Sequence, residues 1–266
     1  MLATKYELWC FVAYASLWLT KGYALPAPAG RDERPVSPRA GFANGIPLRI
    51  MPLGASITYG LKSSDGNGYR LALRDSITAH GNEVNMVGTH PNGTMQDNQN
   101  EGWPGYVIDQ VHDKADTAVP AEKPNLVLIN AGTNDCLQDD DVAGAGDRMK
   151  SMINDIYTDS PQATVILSTL LVNADAATQT RIVNSFNPQM SSLANSLQGA
   201  GKRIVLVDMQ SSAGPTLDEL VDGTHPDDAG YKKMANIWYA GIQQADSKGF
   251  LVQAQAVAGI PDDGDS

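Results

Sequence analysis

Four side chains on this chain have the types that an acyl-transfer centre needs. Ser56 lies in Gly54-Ala-Ser-Ile-Thr-Tyr-Gly60, and Asp222-Gly-Thr-His225 follows 169 residues later, with Pro226 directly after it. A serine hydroxyl is a weak nucleophile at neutral pH. It needs a base to take its proton and a third group to hold that base in the right tautomer. An aspartate three residues before a histidine can fold back on Nδ1 and leave Nε2 facing outward, while the proline stiffens the backbone beyond. The fourth residue is Asn134, in Asn130-Ala-Gly-Thr-Asn-Asp135, whose side-chain amide can donate to an anion.

These residues require a scaffold that brings distant segments together. From Ile46 onward, short apolar runs alternate with helical patterns, the order expected of a parallel sheet flanked by helices. Five runs read as buried strands: 46–53, 84–88, 125–130, 163–170 and 203–208. Helical periodicity covers 105–118, 147–158, 179–198 and about 227–247; Pro188 is expected to kink or split the third of these. His80-Gly81 reads as another helix end. In an open parallel sheet, ligands gather at the carboxyl ends of the strands, and Ser56, Asn134 and the stretch Glu101-Gly-Trp-Pro-Gly105 all fall at such ends or just before a helix.

Taken in order, Gly54 to Ser56, a glycine opening a helix, Gly132-Thr-Asn-Asp135 and Asp222-Gly-Thr-His-Pro226 resemble the motif blocks of the SGNH (GDSL-type) hydrolases. The resemblance runs from about Ile50 to Trp238. Within that superfamily, Arg49-Ile-Met-Pro-Leu-Gly54, Gly68-Tyr-Arg70, Glu101 to Tyr106 and Gly230-Tyr-Lys-Lys-Met-Ala-Asn-Ile-Trp238 look like carbohydrate esterase family three, the small acetylxylan esterases. It implies a flavodoxin-like three-layer α/β/α sandwich on a central five-stranded parallel sheet. It also implies Ser56, His225 and Asp222 as a triad, with the Ser56 N–H, the Gly105 N–H at its helix start and the Asn134 amide as oxyanion hole. Gly102 is the rival donor; Gly105 is preferred because only it directly precedes the helical pattern. The family usually has Asp before the nucleophile, where this chain has Ala55. How the turn at Ser56 is braced is then an open question.

Composition narrows the setting. Residues 1–24 combine Lys5, an apolar run from Leu8 to Leu19 and small residues up to Ala24, the pattern of a secretion signal. Twelve apolar residues reach only roughly 18 Å as a helix, short of the about 30 Å of a bilayer core. Residues 25–45, rich in proline and charge, read as a flexible lead-in, 46–250 as the hydrolase domain, and 251–266 as a frayed tail. Without the signal the chain holds 17 basic and 29 acidic residues, a formal charge of −12, which disfavours nucleic acid and anionic membranes as partners. Cys10 leaves with the signal, so Cys136 is expected as a buried free thiol. Asn92-Gly-Thr94 is a glycosylation acceptor string.

Other residues are expected to be structural. His80, His90 and His112 lack ligand-like spacing, Asp139-Asp-Asp141 reads as a solvated helix start, and Asp65-Gly-Asn-Gly68 has Ser76 where a calcium loop needs Glu. Asp135 is expected to brace its loop. Trp103 and Tyr106 are candidates for a sugar subsite or for core packing. The expectation is a secreted, monomeric serine esterase that needs neither metal nor cofactor and removes acetyl groups from plant polysaccharide, acetylxylan foremost. Two alternatives stand beside it: a lipid or thioester hydrolase, and a carbohydrate-binding protein that keeps the fold without catalysis.

Overall fold

The computed structural model describes residues 41–262. The expected signal at 1–24 and most of the lead-in lie outside the described residues. A six-stranded, all-parallel sheet forms the middle layer: β1 (Leu48–Gly54), β2 (Val84–Met86), β3 (Glu101–Gly102), β4 (Leu126–Asn130), β5 (Thr164–Ser168) and β6 (Ile204–Val207). The strands run in the order β2-β1-β4-β5-β6, with the two-residue β3 pairing β1 beyond the reach of β2. Counting the five long strands alone, this is the flavodoxin order. The five expected strands are present with trimmed ends, except that β1 runs one residue further than expected, to Gly54. β3 adds a sixth that has no apolar alternation to announce it.

Alternation along each strand sorts the core into two halves. In β4, Leu126 and Leu128 join the cluster under α2 (Arg70–His80) and α8 (Asp228–Ser247), while Val127 and Ile129 join the cluster under α3 (Ile108–Glu122), α5 (Ala145–Asp159) and α7 (Asn187–Gly199). Both faces are apolar because helices cover both. Tyr231, Met234, Trp238 and Ile242 all point inward from α8, as helical spacing demands. Among the described residues no helix is long and apolar enough to cross a membrane.

The helix expected over 179–198 runs without a gap from Ala176 to Gly199, with a π-turn inside it. Residues Ala176–Arg181 form α6, Ile182–Phe186 a π-turn, and α7 starts at Asn187. Pro188 directly follows the π-turn, whose i→i−5 bond from Asn187 N–H to Ile182 O widens the helix just where a residue without an N–H must be fitted.

Two boundaries differ from expectation. Phe42, placed in the lead-in, is buried, and its ring meets His80 at 4.2 Å; its N–H donates to Asn82 Oδ1. The fold thus begins at least four residues before Ile46. At the other end, the chain to Asp262 is stitched down rather than frayed. Asn125 Nδ2 donates to Val252 O (2.8 Å), Arg49 Nη1 to Gln255 O (2.8 Å) and Asn85 Nδ2 to Pro261 O (2.6 Å). Those acceptors are main-chain carbonyls, which every residue carries, so composition gave no sign of them.

Candidate active site

β1 and β4 are neighbours at the point where the strand order reverses, and their carboxyl ends frame the crevice where open α/β sheets bind ligands. Gly54 ends β1 and lets the chain turn: a Cβ there would stand 2.1 Å from Asn130 O on β4. The single-turn helix α1 (Ser56–Tyr59) follows, with Ser56 first and its N–H unspent by the helix. Ala55 offers no side-chain cap. The turn is braced instead from its far end, where Gly60 in the left-handed region (φ 91°) donates to Ser56 O and Ile57 O, and Leu61 N–H also donates to Ser56 O.

His225 sits in a tight reverse turn. Val221 N–H donates to His225 O (2.8 Å), Leu220 bridges Pro226, and Asp222 Oδ1 accepts the N–H groups of Thr224 (3.2 Å) and His225 (2.9 Å). The same carboxylate lies 2.9 Å from His225 Nδ1, and His225 Nε2 lies 2.8 Å from Ser56 Oγ. The fold thus joins the three side chains that the sequence separated by 169 residues. Burial works to raise the Asp222 carboxyl, but the His225 N–H, its imidazole and the Thr224 N–H outweigh it and hold the carboxyl below its ordinary value. Asp222 is 38% exposed, with Lys62 Nζ 4.0 Å away.

Several positioning groups were not marked as such by the sequence. Asn173 Nδ2 donates to Thr224 Oγ1 (3.0 Å) and Ala174 N–H to Gly223 O (2.8 Å), tying the histidine turn to the loop after β5. Asp228 accepts Ser64 N–H (2.8 Å) and Tyr231 Oη donates to Leu61 O (2.7 Å), so α8 grips the loop that follows Ser56. The guanidinium of Arg70, fully buried, donates to the carbonyls of Tyr59, Gly66, Asn92 and Asn98. Of these, only Tyr231 and Arg70 fall inside the motif blocks.

Asn134 and Asp135 open α4 (Thr133–Gln138) after Gly132. Asn134 Nδ2 donates to Tyr106 O (2.8 Å), which uses one amide hydrogen and leaves the other free to bind an oxyanion. Asp135, fully buried, accepts Ile108 N–H and the Arg148 guanidinium (2.9 Å), so it braces α3 as expected of a structural residue. Burial still raises its carboxyl above the ordinary range. Gly105 differs from expectation in one respect: α3 begins at Ile108, so Gly105 stands three residues ahead in a turn at φ 85° and no helix start lies at its N–H. Its N–H has no acceptor among the described residues. The N–H of Gly102 is spent on Asn100 Oδ1 (2.8 Å), which removes the rival donor. Trp103 N–H donates to Gly54 O (3.0 Å), so this loop is pinned beside the serine strand.

The glycan expected at Asn92 conflicts with the geometry. Asn92 Nδ2, the atom a sugar would occupy, donates to Tyr59 O (2.8 Å) and Gly66 O (2.9 Å), which uses both amide hydrogens. Cys136 is a buried free cysteine, its thiol pushed up to about 12 by burial and by Asp135. His90 bonds Gly102 O through Nδ1 (2.7 Å), and His112 lies between Asp155 (2.9 Å) and Asp116 (3.3 Å) on the outside of α3 and α5. Those last three offer the one set of three clustered metal-donor side chains among the described residues, and both carboxylates pair with His112. Asp139 caps the end of α4 and pairs with Arg181 (2.9 Å), while Asp141 caps the 3-10 turn Val142–Gly144 ahead of α5, its carboxylate accepting Gly144 N–H (3.3 Å), so the acidic run closes one helix and opens the next.

Two substitutions test this architecture. Asn134→Ala removes a side-chain donor and the tie to Tyr106 O; losing one oxyanion donor costs about 10²- to 10³-fold in turnover. A steady-state kcat within about threefold of the parent would exclude Asn134 from the hole. Gly132→Ala puts a methyl 2.2 Å from the buried ring of Phe186 at φ 117°, and strain plus overpacking should cost about 2–5 kcal/mol. The thermal midpoint should fall by about 4–20 °C, at about 2–4 °C per kcal/mol for a domain of this size.

Among relatives, a multidomain esterase of Ruminococcus flavefaciens is 27% identical over 237 residues, covering 79% of this chain; the chain spans 30% of that protein's length. Two solved structures share the fold. A family 3 carbohydrate esterase of Clostridium thermocellum matches with a TM-score of 0.67 at 24% identity, covering 76% of this chain and 98% of that one. A family 3 carbohydrate esterase of Talaromyces cellulolyticus gives 0.63 at 23% identity, with 76% and 99% covered. The GDSL-like lipase/acylhydrolase family matches residues 53–233, a span holding Ser56, Gly105, Asn134, Asp222 and His225, and this chain belongs to that family.

Proposed function

We propose that this chain is an extracellular serine esterase that removes acetyl groups from plant polysaccharide, acetylxylan in the first place. The observation that carries the esterase reading is the 2.8 Å contact between His225 Nε2 and Ser56 Oγ, with Asp222 on the opposite ring nitrogen. In this mechanism Ser56 Oγ attacks the ester carbonyl carbon while its proton passes to His225 Nε2. Asp222 holds the ring and stabilises the imidazolium. Charge on the carbonyl oxygen is met by the N–H groups of Ser56 and Gly105 and by the free amide hydrogen of Asn134. The tetrahedral intermediate collapses, the sugar oxygen leaves with the proton from His225, and an acetyl-enzyme remains. Water then attacks that carbonyl, gives its proton to His225, and acetate departs as the proton returns to Ser56 Oγ.

The substrate reading is supported by the blocks Arg49 to Gly54, Glu101 to Tyr106 and Gly230 to Trp238, and by fold neighbours whose names are those of carbohydrate esterases. Extracellular action is supported by the charged-then-apolar pattern of residues 1–24. The test is acetate release from acetylated xylan, acetylated glucomannan, chitin oligomers and esters of graded acyl length. Release from xylan with steep loss beyond two acyl carbons is expected. Preference for long acyl chains would transfer the chain to the lipid hydrolases.

A further inference from the structure

The loop that carries Gly105 also forms one wall of a groove of about 330 Å³. Trp103 and Tyr106 make that wall, and Gln110, Asp113, Lys114 and Thr117 make the other. The four residues of the second wall are spaced i, i+3, i+4 and i+7, a single exposed face of α3. The groove therefore starts at the oxyanion loop and runs along the helix away from it. Its position beside the serine strand is fixed by Trp103 N–H on Gly54 O (3.0 Å) and by Asn134 Nδ2 on Tyr106 O (2.8 Å).

The chemistry of the walls selects the occupant. Trp103 is held rigid: its Nε1–H donates to Glu101 Oε2 (2.7 Å) and its ring stacks on His90 with centroids 4.0 Å apart. Tyr106 stacks offset on Trp103 at 5.7 Å. An aromatic wall in a fixed orientation suits the C–H face of a pyranose, and little order is lost when it binds. Facing it are an amide, a carboxylate, an ammonium and a hydroxyl, all able to bond sugar hydroxyls. Asp113 and Lys114 cancel in charge, so the groove is neutral on a protein of formal charge −11, which disfavours uronates and phosphates. Polar walls likewise disfavour an acyl chain. The volume lies at the low end of the roughly 300–1,000 Å³ of ligand clefts. Lys114 Nζ rests 4.2 Å from the Trp103 centroid, so a ring stacking on that face displaces a flexible side chain and no backbone.

We infer that this groove is a subsite for a neutral sugar unit next to the esterified one, an inference that rests on the polysaccharide esterase reading above. The test compares acetylated xylo-oligosaccharides with p-nitrophenyl acetate, which is too short to reach along α3. Asp113→Ala removes a partner for hydroxyls, and Thr117→Trp fills the far end of the groove; both positions are exposed on the helix, and a thermal melt checks that each variant folds. On the oligosaccharide, kcat/KM should fall about three- to tenfold for Asp113→Ala and further for Thr117→Trp, mainly through KM, with the small ester unchanged. Unchanged oligosaccharide kinetics in both variants, or an equal loss on both substrates, would overturn the groove while leaving the esterase in place. A parent enzyme that cleaves the small ester and no acetylated saccharide would instead overturn the substrate reading, and the groove with it.

Discussion

Ser56→Ala should reduce kcat on an acetate ester by about a million-fold, the scale seen when the nucleophile of a serine hydrolase is removed. The fold should not notice. Ser56 Oγ bonds His225 Nε2, and the imidazole is 14% exposed, so water can satisfy the nitrogen that loses its partner. A thermal midpoint equal to the parent's is therefore part of the expected result. So is retained binding of acetylated oligosaccharide, because the groove along α3 contains nothing of Ser56. Serine and histidine act as one unit, so the double variant Ser56→Ala, His225→Ala should be hardly slower than either single one. Residual turnover above about 1% of the parent, after checks for contaminating esterase, would mean that another group attacks the ester. A serine-directed organophosphate gives an independent reading: it should label the parent once and leave the alanine variant unlabelled.

The candidate catalytic strings were legible because their chemistry is local. Asp222 and His225 meet across three residues in a turn that Asp222 itself closes, and Ser56 and Asn134 each follow a strand that apolar runs had already marked. Their convergence is non-local, yet it follows from a rule about parallel sheets, since functional loops collect at the carboxyl ends beside the reversal of strand order. What escaped is of another kind. β3 is two residues of Glu and Gly, too short for any period. The grip of Arg70, Arg49 and Asn125 falls on main-chain carbonyls, and no pattern of side chains marks those. The start of α3 slipped by three residues because Asp135, 27 positions away, supplies the partner for Ile108 N–H; periodicity alone extends the helix back to Gly105. Asn92 shows the converse failure. A three-residue acceptor string is satisfied in sequence while the fold spends the acceptor nitrogen on two carbonyls.

Ala55 bears on the same question. It is buried, and α1 is closed by Gly60 and Leu61 on the Ser56 carbonyl rather than opened by a carboxylate cap. The turn therefore keeps its geometry without the usual acid. The orientation of His225 depends the more on its own turn, in which a single carboxylate serves two backbone N–H groups and the ring.

Asp222→Asn separates those duties. The amide oxygen can still accept the N–H groups of Thr224 and His225, so the turn and its tie to Asn173 should survive and the melting temperature should barely move. The charge is gone, and with it the stabilisation of the imidazolium and the preference for the tautomer with hydrogen on Nδ1. Loss of those two effects at a triad costs about 10⁴-fold in kcat. Asp222 is 38% exposed, so water already screens part of its field, and the loss here should be smaller, about 10²- to 10³-fold. KM should change little, because the carboxylate acts on the imidazole rather than on the ester. Asp222→Ala also removes the acceptor that closes the turn, so it should be slower still and less stable. The sign of the pH effect follows from the lowered carboxyl: the Asp222 charge supports the native turn above the ordinary carboxylate range, and that support disappears only as pH falls through the lowered folded value. Activity lost on mild acidification should therefore come from a group other than the Asp222 carboxyl, which stays charged there. An asparagine variant within about tenfold of the parent would show that the turn alone aims His225 and that the carboxylate is dispensable.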